Sequence, residues 1–143
     1  TTLFETAIDK VKKRIYIRSH FYKTKLTKSE IHALNNTYAG RRVIVGDSAE
    51  PRLISEIRAK GCNLVAVKKG KDSIMTGIAM MQDYELIVEE TGSEQLVREL
   101  NNYVWNDKGK TKPIDAFNHC IDAIRYVVYY QLSNPNAGQY AVY

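Results

Sequence analysis

Cysteine is scarce in this chain of 143 residues: Cys62 and Cys120 are the only two, far apart in sequence and each inside an apolar stretch. Such a pair builds neither a disulfide framework nor a Cys-x-x-Cys metal site, and the expectation is buried free thiols in a reducing cytoplasm. Long apolar runs are also missing, so no segment suits a bilayer-crossing helix. The first residues lack the basic, apolar and small-residue order of a signal peptide, and no internal repeat is visible. These absences predict a soluble, intracellular protein. What is present is a length suited to one domain and 44% apolar residues, enough for a single core. The net charge is +5, from 21 Lys and Arg against 16 Asp and Glu. That balance suits a phosphate-bearing partner, yet many ordinary domains are as basic, so the placement of the charges has to decide.

Residue patterns predict an α/β fold. Leu3 to Ile8 and Arg14 to Tyr22 are rich in β-branched and aromatic types around the polar link 9–13, the pattern of an antiparallel hairpin. Thr27, Lys28, Ser29 and Glu30 carry capping chemistry for a helix that stops near Gly40. The run Arg42 to Gly46 reads as a strand, Pro51 opens a helix that ends at Gly61, and Asn63 to Val67 is a second buried-type strand, so a βαβ crossover is the natural assembly. Ser73 to Gln82 reads as a helix and Tyr84 to Glu89 as a strand. Ser93 to Trp105 is a helix opened by a Ser cap, and a long helix runs from about Ile114 to Leu132. Residues 134–143 have the composition of a flexible tail, which leaves 1–133 as the domain.

Asp47 follows directly on an apolar strand, so its carboxylate should emerge at the carboxyl end of a sheet, where open α/β sheets bind ligands. An Asp there also suits a turn or a helix cap. On the last helix Asp115, His119 and Asp122 share a stripe, with Asn118 beside it. A wet helical face usually carries Lys and Glu, whereas Asp, His and Asn are types that ligate or orient metal ions. Phosphodiester hydrolysis gives the two acidic positions a reason to converge: two divalent ions, Mg²⁺ or Mn²⁺, activate water and stabilise the leaving oxygen, and both prefer carboxylate donors. Asp47 and Asp122 are the candidate ligands, and His119 suits either an imidazole ligand or a proton donor beside the phosphate. Lys68, Lys69 and Lys71 follow the second βαβ strand, and Lys108, Lys110 and Lys112 precede the last helix. Both clusters are candidate contacts to DNA phosphates.

Three stretches carry a resemblance: Val43-Ile-Val-Gly-Asp-Ser-Ala-Glu-Pro51, Lys68-Lys-Gly-Lys-Asp-Ser-Ile74, and Pro113-Ile-Asp-Ala-Phe-Asn-His-Cys-Ile-Asp-Ala-Ile-Arg-Tyr126. In this order, over nearly the whole chain, they resemble the C-terminal nuclease domain of the large terminase subunit of tailed bacteriophages. The resemblance implies a ribonuclease H-like mixed central sheet with the antiparallel hairpin first and helices flanking it. It implies a two-metal endonuclease that cuts concatemeric double-stranded viral DNA during genome packaging in the host bacterial cytoplasm. An upstream packaging ATPase domain, the portal and the small terminase subunit would be its partners. By position, Asp47 and Asp122 match the second and last acidic ligands of the family, His119 a histidine beside the site, and Asp115 has a supporting place as helix cap or neighbour of the ligands. The family's first acidic ligand lies on a strand ahead of the segment that opens this sequence, so the domain is expected to lack that strand here. Other expectations compatible with the residues are a resolvase- or integrase-type nuclease of the same superfamily, or a noncatalytic module docking on DNA or a portal. A phosphoreceiver-like strand ending in Asp47 leaves the hairpin and the pair His119 and Asp122 unexplained.

Overall fold

The computed structural model describes residues 1–67, 70, 73–103 and 118–133. Strand β1 (Thr2–Asp9) turns back into β2 (Arg14–Tyr22) because Asp9 closes the link: its Oδ1 accepts from the backbone N–H of Val11 (3.0 Å) and Lys12 (2.9 Å). Asp favours such turns since its short side chain reaches its own downstream backbone. The pair runs antiparallel from Thr2↔Tyr22 to Asp9↔Arg14, with an irregularity between Leu3 and Phe4. On β2 the two-residue alternation buries Ile15 and Ile17 and leaves Tyr16 and Arg18 outside.

Helix α1 (Lys28–Ala39) starts at a reciprocal cap, in which Thr27 Oγ1 accepts from Glu30 N–H (3.2 Å) and Glu30 Oε2 accepts from Thr27 N–H (2.6 Å). It ends at Gly40, whose φ of 57° suits a residue without Cβ. Strand β3 (Ile44–Gly46), helix α2 (Pro51–Ala59) and strand β4 (Leu64–Ala66) form the expected crossover, with β3 and β4 parallel from Ile44↔Leu64 to Gly46↔Ala66. Helix α3 (Ser73–Gln82) leads to β5 (Glu85–Val88), which pairs parallel with β2, and helices α4 (Glu94–Asn102) and α5 (His119–Ser133) complete the described elements.

The described strands fall into two sheets, a mixed one in the order β1-β2-β5 and a parallel pair β3-β4. Each has its own core: Ile15, Ile17, Met81, Leu96, Cys120, Ile121, Ile124 and Val128 on one side, and Ile44, Ile54, Ile57, Cys62 and Leu64 on the other. Helix α5 packs on both β1 and β3 and so ties the sheets together. The absence of a helix long and apolar enough to cross a membrane holds for the described residues.

Two local expectations change. Helix α5 begins at His119 rather than near Ile114, and Asn118 before it is not helical. Ser93 precedes α4 but makes no side-chain cap; its φ of −104° and ψ of 12° lie outside the extended region a capping residue uses, and its hydroxyl is buried without a partner. Lys68, Lys69, Lys71, Lys108, Lys110, Lys112, Asp115, Trp105 and the expected tail at 134–143 lie outside the described residues.

Candidate active site

Asp47 stands at the carboxyl end of β3, as its place after an apolar run dictates. The glycine before it suits close packing: a Cβ on Gly46 would lie 3.1 Å from Leu64 Cδ1, which would have to shift by a few tenths of an ångström. Asp47 is exposed, and its Oδ1 accepts from the N–H of Ala49 (3.0 Å), so the turn role and an outward carboxylate coexist. The neighbouring strand leaves at the same edge, because Val67 N–H donates to Gly46 C=O (2.9 Å). Val67, the last described residue before Lys68, therefore lies beside the end of β3.

His119 and Asp122 sit one turn apart on α5, with His119 exposed and Asp122 half-buried. Asp122 N–H donates to Asn118 C=O (2.7 Å), which closes the first turn. Its Oδ1 accepts from Arg125 Nη2 (3.2 Å). Arg125 is 5% exposed and lies over the ring of Tyr126 at 4.9 Å, so Asp122 has a buried cation behind it. Tyr103, at the end of α4, is close enough to register this pair. Burial raises its phenol pKa first, and the Asp122 carboxylate adds to the rise while Arg125 opposes it.

A groove of about 1130 Å³ opens between the two sheets. Its walls include β1 from Thr2 to Ile8, β3 with Val45, Gly46 and Asp47, apolar side chains of α2, and Ala123, Val127 and Gln131 of α5. Asp47 thus lines the groove, and Asp122 is the neighbour of a residue that lines it. Both bordering strands are edges: β1 ends the three-stranded sheet, and β3 pairs only with β4 among the described residues. On β3, Ile44 N–H and Gly46 C=O are used toward the β4 side by Asn63 and Val67. Strand alternation then points the peptide groups of Val45 at the groove.

Among the described residues no three His, Cys, Asp or Glu side chains gather into a group able to hold a metal ion. Asp47 and Asp122 supply hard oxygen, the chemistry Mg²⁺ and Mn²⁺ require, and a further acidic donor is needed to offset the charge of two ions held close together. The thiols do not contribute. Burial, followed by the charge of nearby Glu99, pushes Cys120 up to about 12, and burial raises Cys62, whose Sγ lies 3.2 Å from His32 Nδ1.

Two buried charges next to these residues carry no clear mark in the sequence. Glu99 is 1% exposed, and its Oε2 accepts from the N–H groups of Cys120 (2.7 Å) and Ile121 (3.0 Å) at the start of α5. Its signal was a charge three residues after buried Leu96 and four before Tyr103, on the inward stripe of α4. Arg125 was visible as a basic residue one turn after Asp122, but its burial was not.

Comparison with known proteins identifies the family and the fold. The family model described as a terminase RNAseH-like domain matches residues 1–129. The crystal structure of the large terminase nuclease domain from bacteriophage SPP1, with bound Mn, is 28% identical over 87% of this chain and 75% of its own, with a TM-score of 0.75. A large terminase from a thermophilic bacteriophage, 19% identical over 84% of this chain and 34% of its own, shares the fold with a TM-score of 0.64. No curated protein matches the chain. The chain belongs to the terminase ribonuclease H-like family, the C-terminal nuclease domain of large terminases.

Proposed function

We propose that this domain is a metal-dependent endonuclease that cuts concatemeric double-stranded viral DNA during packaging, with Asp47 and Asp122 holding two Mg²⁺ or Mn²⁺ ions. The observation that carries the reading is that one groove has Asp47 on its wall and is also lined by α5 at Ala123, the residue after Asp122. The bound Mn of the SPP1 nuclease domain supports the choice of cation. When present, the ions supply an activated water and stabilise the departing oxygen. The chain's own residues supply the rest. Arg125 fixes the Asp122 carboxylate through its Nη2 contact. His119, exposed one turn earlier, faces the phosphate side as an imidazole ligand or proton donor. Lys68, Lys69 and Lys71, which follow β4 in sequence, and Lys108, Lys110 and Lys112, which precede α5 in sequence, neutralise DNA phosphates. Asp115 is assigned a supporting role, as a neighbour of the ligands or a helix cap.

The groove also suits an added strand that carries a further acidic donor. It is bordered by two edge strands, has apolar walls, and receives the peptide groups of Val45. A strand there would join the two sheets into one. The packaging ATPase domain, portal and small terminase subunit are the partners this role requires, in the host bacterial cytoplasm.

The test is nicking of supercoiled plasmid in Mn²⁺. Asp47→Ala and Asp122→Ala should each lower the rate by more than about 100-fold, since even residues supporting metal ligands cost 10–100-fold, while far-ultraviolet circular dichroism stays unchanged. Undiminished nicking by both variants removes the catalytic assignment.

A further inference from the structure

We infer that Glu99 is a positioning residue for the site on α5, an inference that rests on the proposed nuclease reading. A helix start leaves its first N–H groups without intrahelical partners, and a capping side chain normally takes those of the second and third helical residues. In α5 those residues are Cys120 and Ile121, and both donate to one oxygen of Glu99, which comes from α4. The other carboxylate oxygen accepts weakly from Gln95 Nε2 at 3.4 Å, so Glu99 is steadied within its own helix. Because a single oxygen receives both amides, a small slide or rotation of α5 lengthens at least one bond. The turn so fixed is the one that carries His119 and Asp122.

Arg125 acts on the same turn from the opposite direction. It holds Asp122 Oδ1 at 3.2 Å, and its Cγ and Cδ lie where a Cβ on Gly77 of α3 would come within 2.7 and 3.1 Å. Asp122 is thereby referenced to α4 through the backbone and to α3 through its carboxylate. Metal sites tolerate displacements of only about half an ångström before geometry suffers, which gives a buried carboxylate at this place a purpose beyond packing. Glu99 also fills the positive end of the helix with fixed negative charge. A DNA phosphate therefore does not bind at this helix end, although such ends commonly hold phosphates.

The test uses Glu99→Asp, which withdraws the acceptor by one methylene, and Glu99→Gln, which keeps an oxygen at the original reach. Three quantities are read on the intact protein: amide exchange at Cys120 and Ile121, the Mn²⁺ concentration for half-maximal nicking, and the midpoint of urea unfolding. In Glu99→Asp both amides should exchange about tenfold faster and the Mn²⁺ requirement should rise about tenfold, the scale of one lost charge-assisted hydrogen bond. Glu99→Gln should stay within about threefold of wild type on both. A purely structural Glu99 would lower the urea midpoint in Glu99→Asp and leave the Mn²⁺ requirement at the wild-type value, and that result overturns the inference. Unchanged exchange at both amides does so too. Wild-type protein that neither binds Mn²⁺ nor nicks DNA defeats the nuclease reading itself, whereas an active wild type with an insensitive Glu99→Asp defeats only the positioning role.

Discussion

Arg125 is a full positive charge with 5% of its surface exposed, one carboxylate partner and an Nε without any partner. Burying a cation this way is costly, and it persists where the surrounding packing leaves the side chain no alternative. Gly77 is what makes room for it, since any Cβ there meets Arg125 Cγ at 2.7 Å. Gly77→Ala therefore sets two effects against each other. Alanine gains about 1 kcal/mol of helix propensity, while overpacking against a side chain pinned at its far end costs about 1–3 kcal/mol. The net expectation is a loss of about 1 kcal/mol in urea unfolding, together with weaker nicking because Arg125 must move away from Asp122. A more stable Gly77→Ala protein would show that Arg125 yields freely. None of this was legible from the residue string: glycine in a helix and arginine near a carboxylate are each ordinary, and only their contact gives them meaning.

At the scale of elements, the hairpin is tied to α1 by a network around Glu5. Its carboxylate meets His20 Nε2 of β2 at 2.8 Å and Arg42 Nη1, just past α1, at 2.7 Å, and His20 stacks on Tyr38 of α1 at 4.8 Å. The hydrogen bond with His20 is the main cause holding Glu5 below its ordinary value of 4.5, with Arg42 helping and partial burial opposing. A carboxylate depressed by folding contributes stability that is fully present above its unfolded value and is lost as pH falls through the lowered folded value. Stability should thus decline below pH 4.5, by a small amount because Glu5 is more than a third exposed. Glu5→Gln should flatten that decline in thermal melts across the acid range; an unchanged acid limb would place the sensitivity elsewhere.

Elements were also the level at which the sequence was most readable. Thr27 and Glu30 announced α1, Pro51 announced α2, and the alternation in Arg14 to Tyr22 announced β2, because each signal is local. The start of α5 is not marked locally since its cap comes from Glu99, 21 residues before Cys120, and Ser93, a residue type suited to capping, lies in a conformation that does not cap.

Across the whole molecule, the division into two sheets is the feature no pattern of residues announced. Asp47 and Asp122 stand out in the sequence as hard oxygen donors, and the βαβ unit puts Asp47 at the carboxyl edge where it is found. The groove that separates β1 from β3 depends on which strands pair, a long-range property. If a further acidic strand occupies it, the amide of Val45 should exchange rapidly in residues 1–143 alone and become protected when a segment carrying such a strand is added. Equal exchange in both would mean that the groove stays open.

The central claim is that Asp47 and Asp122 share divalent cations, and anomalous diffraction from crystals of the intact protein soaked in Mn²⁺ addresses it directly. Manganese peaks should appear about 2.0–2.2 Å from carboxylate oxygens of both residues, the range for hard cations of this size. Manganese bound elsewhere, with neither carboxylate in contact, would contradict it.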